Sequence, residues 1–350
     1  MTPRERVLSS LRGERPDRVP KALGFFAQSI PAIEPTPPEA YFSLDVRFLE
    51  FDPPARQDGF LDYLQGLPPH VAMGRPAQLR TYHEWNYHPE RGAETPLGRI
   101  RSLPELAEYA FPHLSAAHRH RGLAARARRW RAEGYAVAGG PPHLGGELFE
   151  MAIRLRGFAN FMADLVRRKA LAHFLLDQLT AMLFDNVRIL AQAGIDILLL
   201  DDDIAMPTGL LISPATWREF FKPRLARAIQ AAKELSPDLL IFYHSDGDFT
   251  RLIPELLEIG VDIINPLQPD CMDAAAIRRA YPRRPAFWGT VGTALLWDRG
   301  APDQIRDDVH QRLATLGPTG LLLAPAYDID FAPLANIEAF VRAAEDFGRP

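Results

Sequence analysis

From residue 135 onward the chain alternates between short apolar runs and longer stretches whose apolar positions recur at helical spacing. Tyr135–Ala138, Ile195–Leu200, Leu239–Tyr243, Val261–Ile264, Ala286–Trp288 and Gly320–Leu323 are apolar nearly throughout. That pattern is expected of parallel strands buried on both faces. Between them, Phe149–Leu155, Phe161–Gly194, Pro214–Leu235, Phe249–Ile259, Met272–Tyr281, Pro302–Leu316 and Leu334–Phe347 read as helices. Ser213-Pro214 supplies an N-cap followed by Pro at the first helical position, and Gly260 closes the helix before it. Two earlier runs, Val19–Phe26 and Asp45–Phe51, complete a set of eight strands. Eight parallel strands with crossover helices predict an α/β fold, a (β/α)8 TIM barrel forming a single domain over residues 1–350. The rival, an open doubly wound sheet, lacks the Gly-x-Gly-x-x-Gly turn after its first strand. Thr2-Pro3-Arg4-Glu5 has the form of a capping box, with Val7, Leu8 and Leu11 on one face. It predicts an N-terminal helical extension across one end of the barrel. Leu79, Tyr82, Trp85, Tyr87 and Ile100, set among polar residues, predict a β-hairpin over 76–100, and 52–100 as a whole reads as an excursion able to lid the site.

Composition narrows the function classes. Of 350 residues, 47% are hydrophobic and 24% charged, ordinary for a globular enzyme-sized chain. With 40 basic and 44 acidic residues the net charge is −4, so a nucleic-acid partner is not expected. Arg119–Arg131 is the local exception, read as a solvated helix face or as a docking patch for an acidic partner. One cysteine, Cys271, excludes an intrachain disulfide and a cysteine-rich metal cluster. The opening residues carry charge and no apolar h-region, and no apolar run is long enough to span a bilayer. The expectation is a reduced, cytoplasmic protein with no membrane partner.

In a barrel, chemistry gathers where the strands end. Those ends are polar here: Asp201-Asp202-Asp203, His244-Ser245-Asp246, Asn265 and Gln268, Thr290, and Tyr327-Asp328. Three consecutive carboxylates serve either as base or metal ligand, or as caps of the following turn. Asp202 is the preferred catalytic carboxylate because strand alternation can aim it inward. His244 and Asp246, two residues apart, can hold one metal or pair as acid and base. A third ligand is not named by the sequence; Tyr327, Asp328 and Glu147 qualify by topology. The candidate catalytic set is thus Asp202, His244, Asp246 and Tyr327. Asp201, Asn265, Gln268 and Trp288 are candidate substrate contacts. Cys271 reads as a small buried thiol, and Glu147 and Glu150 as acids favoured at a helix start.

Longer motifs add a resemblance. Thr2-Pro-Arg-Glu-Arg-Val-Leu, Arg15-Pro-Asp-Arg-Val-Pro20, Arg156-Gly-Phe-Ala-Asn-Phe161, Asp201-Asp-Asp203, Ser213-Pro214 with Trp217-Arg218, His244-Ser-Asp-Gly247, Gly260-Val-Asp-Ile-Ile-Asn-Pro-Leu-Gln268, Trp288-Gly289 and Asn336 are spread over nearly the whole chain. Together they resemble the uroporphyrinogen decarboxylase superfamily, which also holds cobalamin- and corrinoid-linked methyltransferases. The resemblance implies that barrels of this type pair as homodimers. It also implies, for true decarboxylases, an arginine pair near the N-terminus and an aspartate facing the pyrrole nitrogens. The matching stretch, Lys21–Gln28, has no arginine, and Phe42-Ser-Leu-Asp45 is a loose echo of the aspartate segment. For the methyltransferases it implies zinc on a His-x-Cys pair and a later Cys. Here Asp246 replaces the first Cys, and Ala326 or Tyr327 the second. The expected function is methyl transfer from a small methylated donor to a corrinoid carried by a partner protein, with zinc as the candidate metal. One alternative is a metal-independent decarboxylase of uroporphyrinogen or a smaller aromatic or pyrrolic acid. The other is a non-catalytic tetrapyrrole- or corrinoid-binding protein.

Overall fold

The computed structural model describes every residue except 56, 68–75, 89–93 and 350, with the backbone alone at 76–78. The described strands are β1 Val46–Leu49, β2 Ala136–Gly139, β3 Ile197–Asp201, β4 Ala205–Met206, β5 Gly209–Leu210, β6 Leu240–His244, β7 Ile263–Asn265, β8 Ala286–Trp288 and β9 Leu321–Leu322. Seven of them form one parallel sheet in the order β1-β2-β3-β6-β7-β8-β9, while β4 and β5 make a small antiparallel ribbon.

Side chains alternate across this sheet. Val46, Ala136, Ala138, Ile197, Leu199, Leu240, Phe242, Ile263, Ala286, Trp288 and Leu322 form one buried cluster. Leu49, Val137, Leu198, Leu200, Ile241, Tyr243, Ile264, Phe287 and Leu321 join a second, shared with the surrounding helices. Both faces of the strands are therefore buried, which is why the sequence shows apolar runs rather than alternation.

Of the eight expected strands, Val19–Phe26 is not a strand. It makes a single parallel bridge, Lys21 to Leu323, with Leu323 N donating to Pro20 O at 2.9 Å and Asp45 N to Lys21 O at 3.2 Å. The segment thus touches both edges of the sheet without a ladder. Pro20 has no N–H to donate, and Gly24 at φ 153° turns the chain away after a few residues. The described fold is an α/β structure around a seven-stranded parallel sheet.

The N-terminal extension behaves as expected. Thr2 caps helix Pro3–Leu11 with a complete capping box, and Val7, Leu8 and Leu11 pack into the inner cluster. Aspartates just before three of the strand positions stitch this end together. Asp45, Asp196 and Asp262 each accept a backbone N–H from the adjoining segment, at Lys21, Val137 and Ile241. Asp45, the echo of the pyrrole-facing aspartate, is fully buried between Arg6 and Arg18 at 2.7 and 2.9 Å. It lies at the opposite end from the strand tips, so its role is structural.

The excursion is not a hairpin where it is described. Phe60–Gln65 and Pro76–Glu84 are helices, and Phe60, Tyr63, Leu67 and Leu79 form a small core of their own. Residues 68–75 and 89–93 of that prediction lie outside the described residues. No described helix is long and apolar enough to cross a membrane.

Candidate active site

Strand register builds the site. Asp201 lies opposite His244, and His244 opposite Asn265, at the C-terminal ends of β3, β6 and β7. Ile197 and Leu199, Leu240 and Phe242, and Ile263 belong to the inner cluster. Counting by two places Asp201, His244 and Asn265 on that same inner face.

Asn265 fixes the imidazole. Its Nδ2 donates to the Trp288 carbonyl at 2.7 Å, so its Oδ1 is the acceptor for His244 Nδ1–H at 2.6 Å. Phe25 stacks on the ring at 4.4 Å between centroids. Nε2 then faces carboxylates: Asp203 Oδ1 at 3.5 Å, Asp201 Oδ1 at 3.8 Å and Asp246 Oδ1 at 3.8 Å. Burial disfavours the imidazolium, yet Asp201, Asp203 and Asp246 outweigh it and hold His244 well above its usual pKa. Asp201 shifts up through burial. Asp203 is half-buried, but His244 and the Asp246 amide hold it below its ordinary value. Asp246 keeps 54% of its side chain exposed, yet partial desolvation and the nearby Asp203, Asp328 and Glu150 carboxylates push it up to about 6.

The structure divides the three aspartates by parity. Asp201 and Asp203 face His244. Asp202, preferred on sequence grounds as the catalytic carboxylate, points the other way and is buried. Its two oxygens accept the Phe149 and Glu150 amides at 2.9 and 2.8 Å, closing the start of helix Phe149–Arg156. Asp202 is a cap. Burial pushes its carboxyl up to about 7 despite the two amides.

The remaining predicted residues fall around this centre. Gln268 is buried and holds the next turn, donating to Asp246 Oδ1 at 2.8 Å and accepting from Gly247 N at 2.8 Å. Trp288 is fully buried, with its indole N–H spent on the Gly24 carbonyl at 3.1 Å and its ring against Phe242. It is a floor beneath the site, without surface for a substrate. Tyr327 donates to Asp270 rather than to the His244 cluster. Cys271 is half-buried beside Asp270, with its thiol pushed up by burial. Glu147 is buried, ties Oε2 to the Asp201 amide at 2.6 Å, and leaves Oε1 without a hydrogen bond.

Three contributors carried no assigned role in the sequence reading. His143, in the loop after β2, brings Nε2 to 3.9 Å from Asp201 Oδ2. Burial lowers its pKa to about 4. Arg154 is clamped by Glu150 and donates to Tyr82 Oη at 2.9 Å, which ties the excursion to the rim of the site. Phe25 supplies the stacked ring. The signal for His143 was its place as the first ionisable residue beyond a strand tip.

The arginine-rich stretch is largely spent inside the chain. Arg119 is buried on Glu84 at 2.7 Å, Arg126 pairs with Asp52 at 3.0 Å, and Arg131 donates to the Gly194 carbonyl at 3.0 Å. Arg121, Arg128 and Arg129 are exposed.

Asp201, Asp203 and His244 each offer one ligand atom within 4.8 Å of one another. Two carboxylates and one imidazole suit a hard or borderline divalent cation. They do not suit the thiolate zinc of the corrinoid methyltransferases. Asp246 lies at the edge of the cluster with its carboxylate bonded to Gln268.

Comparison with known proteins gives the family. The family model described as Uroporphyrinogen decarboxylase (URO-D) matches residues 136–347. The chain is 26% identical over 173 residues to a uroporphyrinogen decarboxylase of Chlorobium phaeobacteroides, covering 49% of this chain and 47% of that protein. It is 22% identical over 197 residues to the methylcobamide:CoM methyltransferase MtaA of Methanosarcina barkeri, covering 56% and 55%. The matches thus span about half the length of these relatives. A solved methyltransferase from Methanosarcina mazei superposes over 99% of both chains with a TM-score of 0.65 at 19% identity, a likeness of fold. With more than half of its length matched by the family model, the chain belongs to the uroporphyrinogen decarboxylase (URO-D) family.

Proposed function

We propose that this chain is an enzyme that transfers a methyl group from a small oxygen-bearing methyl donor to a corrinoid carried by a partner protein. One observation carries the reading: a buried imidazole, with Nδ1 committed to Asn265, aims Nε2 at Asp201 and Asp203. That cluster gathers two carboxylates and one imidazole at one point of the inner face, a set that suits a cation. In the reaction the C–O bond of the donor breaks, its electron pair stays on oxygen, and the methyl carbon bonds to the reduced corrinoid. Asp201, Asp203 and His244 would hold a divalent cation against that oxygen, and the cation would supply Lewis-acid polarisation as negative charge develops there. Asn265 and Phe25 keep the imidazole in place, while Gln268 orients Asp246 at the rim. The Arg154–Tyr82 hydrogen bond ties the excursion to helix Phe149–Arg156, which Asp202 caps.

Electrostatics speaks against uroporphyrinogen. Its several carboxylates need cations in the cleft, and the tips here are acidic. Lys21, the cation in the segment matching the arginine pair, is buried on Glu345, and Arg6 and Arg18 serve Asp45.

The test is methyl transfer to free cob(I)alamin from methanol, methoxylated aromatics and methylated amines, followed by loss of the cob(I)alamin absorption. Turnover of a methoxylated donor that His244→Ala abolishes is the expected result. Release of carbon dioxide from uroporphyrinogen III with no methyl transfer would reject it.

A further inference from the structure

The tip of β3 loses one neighbour before it reaches the site. On one side β6 pairs with it to the end, with Asp201 opposite His244. On the other side the ladder with β2 stops at Gly139 opposite Leu198. Among the described residues, no strand pairs with the β2-facing edge of Asp201. A strand end held on one edge only is free to twist, and side-chain direction follows the peptide. Direction decides what Asp201 can do. Its carboxylate serves the site only while it faces inward, as Leu200 before it packs among the helices.

Glu147 fills the missing place. Asp201 N donates to Glu147 Oε2 at 2.6 Å, and Glu147 N donates to Asp201 O at 2.9 Å. Both main-chain groups of Asp201 on that edge are thus bonded, as a neighbouring strand would bond them. The glutamate is only 3% exposed, and its other oxygen, Oε1, is buried without a hydrogen bond. Burying a carboxyl for the sake of one acceptor is costly. An apolar side chain would fill the same space without that cost, and what it would lose is the bond to Asp201. Gly146 lets the loop come this near, since a Cβ there would stand 2.7 Å from the Asp201 carbonyl oxygen. Asp202 reaches back and accepts the Phe149 and Glu150 amides, so the loop cannot withdraw without opening the helix start.

We propose that Glu147 is the positioning residue for Asp201, holding the tip of β3 as a strand would so that the Asp201 carboxylate faces His244. With Oε2 committed to an amide, Glu147 acts behind the ligand set and adds no donor to it. A cation held by Asp201, Asp203 and His244 keeps a position open for the donor oxygen, as catalytic sites with three protein ligands do. The proposal rests on the reading that Asp201 helps to hold a cation, and its test separates the two.

Metal-depleted protein is titrated with zinc against a chromophoric chelator, and the visible absorption of its cobalt(II) form reports the geometry around the metal. Wild type is expected to bind one ion. Glu147→Met fills the same space without an acceptor, and Glu147→Asp withdraws the acceptor by one methylene. Both are expected to lose about 10–100-fold in zinc affinity, the range for loss of a group that orients a ligand, and to change the cobalt spectrum. Glu147→Gln keeps a carbonyl acceptor and is expected to restore both. Asp202→Asn loosens the same loop but leaves the Glu147–Asp201 bonds. It is expected to lower the urea midpoint with affinity and spectrum as in wild type, which separates lost stability from a displaced ligand. Should Glu147→Met not fold, Glu147→Asp decides. Wild-type affinity and spectrum in the Met and Asp variants would overturn the proposal while leaving the cation in place. An equal loss in Glu147→Gln or Asp202→Asn would overturn it as well. Absence of stoichiometric binding by the wild type would overturn the cation reading itself, and this proposal with it.

Discussion

Replacing Asp202 distinguishes a cap from a catalytic base. Its two oxygens accept the Phe149 and Glu150 amides at 2.9 and 2.8 Å, and the residue is 1% exposed. Asp202→Ala leaves two buried N–H groups unpaired at the start of helix Phe149–Arg156. Each unpaired donor costs about 1–3 kcal/mol. Loss of an N-cap measured as a whole costs about 0.5–2 kcal/mol. Water entering the vacated space recovers part of the penalty, so about 2–4 kcal/mol is expected for the variant. Asp202→Asn keeps one acceptor and turns an amide N–H₂ toward the other donor, for an expected loss of about 1–3 kcal/mol. Urea unfolding reads this as a lower midpoint at unchanged slope. Under folding conditions, the zinc affinity of Asp202→Asn should match wild type, because Asp201 and Asp203 are untouched. An unchanged midpoint with lost cation binding or lost turnover would refute the assignment and restore Asp202 to the chemistry.

Gly146→Ala places a Cβ 2.7 Å from the Asp201 carbonyl oxygen and 2.9 Å from Asp202 Cα, so overpacking of about 1–3 kcal/mol and weaker zinc binding are expected; wild-type midpoint and affinity together would contradict the close approach. Arg6 beside Asp17 holds that carboxyl well below its ordinary value of 3.8. The stability from this pair is present above the unfolded pKa and lost as pH falls toward the folded one. The gap in unfolding free energy between wild type and Asp17→Asn should therefore narrow below pH about 4, and a gap that is constant with pH would count against it. Tyr82→Phe removes the 2.9 Å bond to Arg154. Faster amide exchange over Phe60–Gln65 and Pro76–Glu84 is expected, at a global cost of about 0.5–1.5 kcal/mol; unchanged exchange there would show that the bond does not hold the excursion.

Strand positions were legible because continuous apolar runs ending in Asp, His and Asn are hard to place anywhere but in a parallel sheet. Parity was not. Ile197–Leu200 is apolar on both faces, so nothing in the run tells which of Asp201 and Asp202 points inward. The inner residues of the neighbouring strands decide it, and they become known only with the register. The cap was hidden for a related reason, since Asp202 and its partner Phe149 are 53 residues apart. Helix Pro76–Glu84 was misread because Leu79 and Tyr82, three apart, are diluted by polar neighbours that also fit a hairpin. Val19–Phe26 has strand-like composition, but Pro20 and Gly24 limit it to one bridge. His143 belongs to no periodic pattern; its place beyond the tip of β2 was its one signal, and its 3.9 Å distance to Asp201 brings it to the site.

The ligand set is the centre of this account, and metal content measured by mass spectrometry after dialysis against zinc tests it most directly. Wild type should retain one zinc per chain. Asp203→Asn and His244→Ala should retain none, and Asp246→Asn should keep it, because Asp246 is 54% exposed and bonded to Gln268. A wild type without stoichiometric zinc, or an Asp246→Asn variant that loses it while Asp203→Asn does not, would contradict the account.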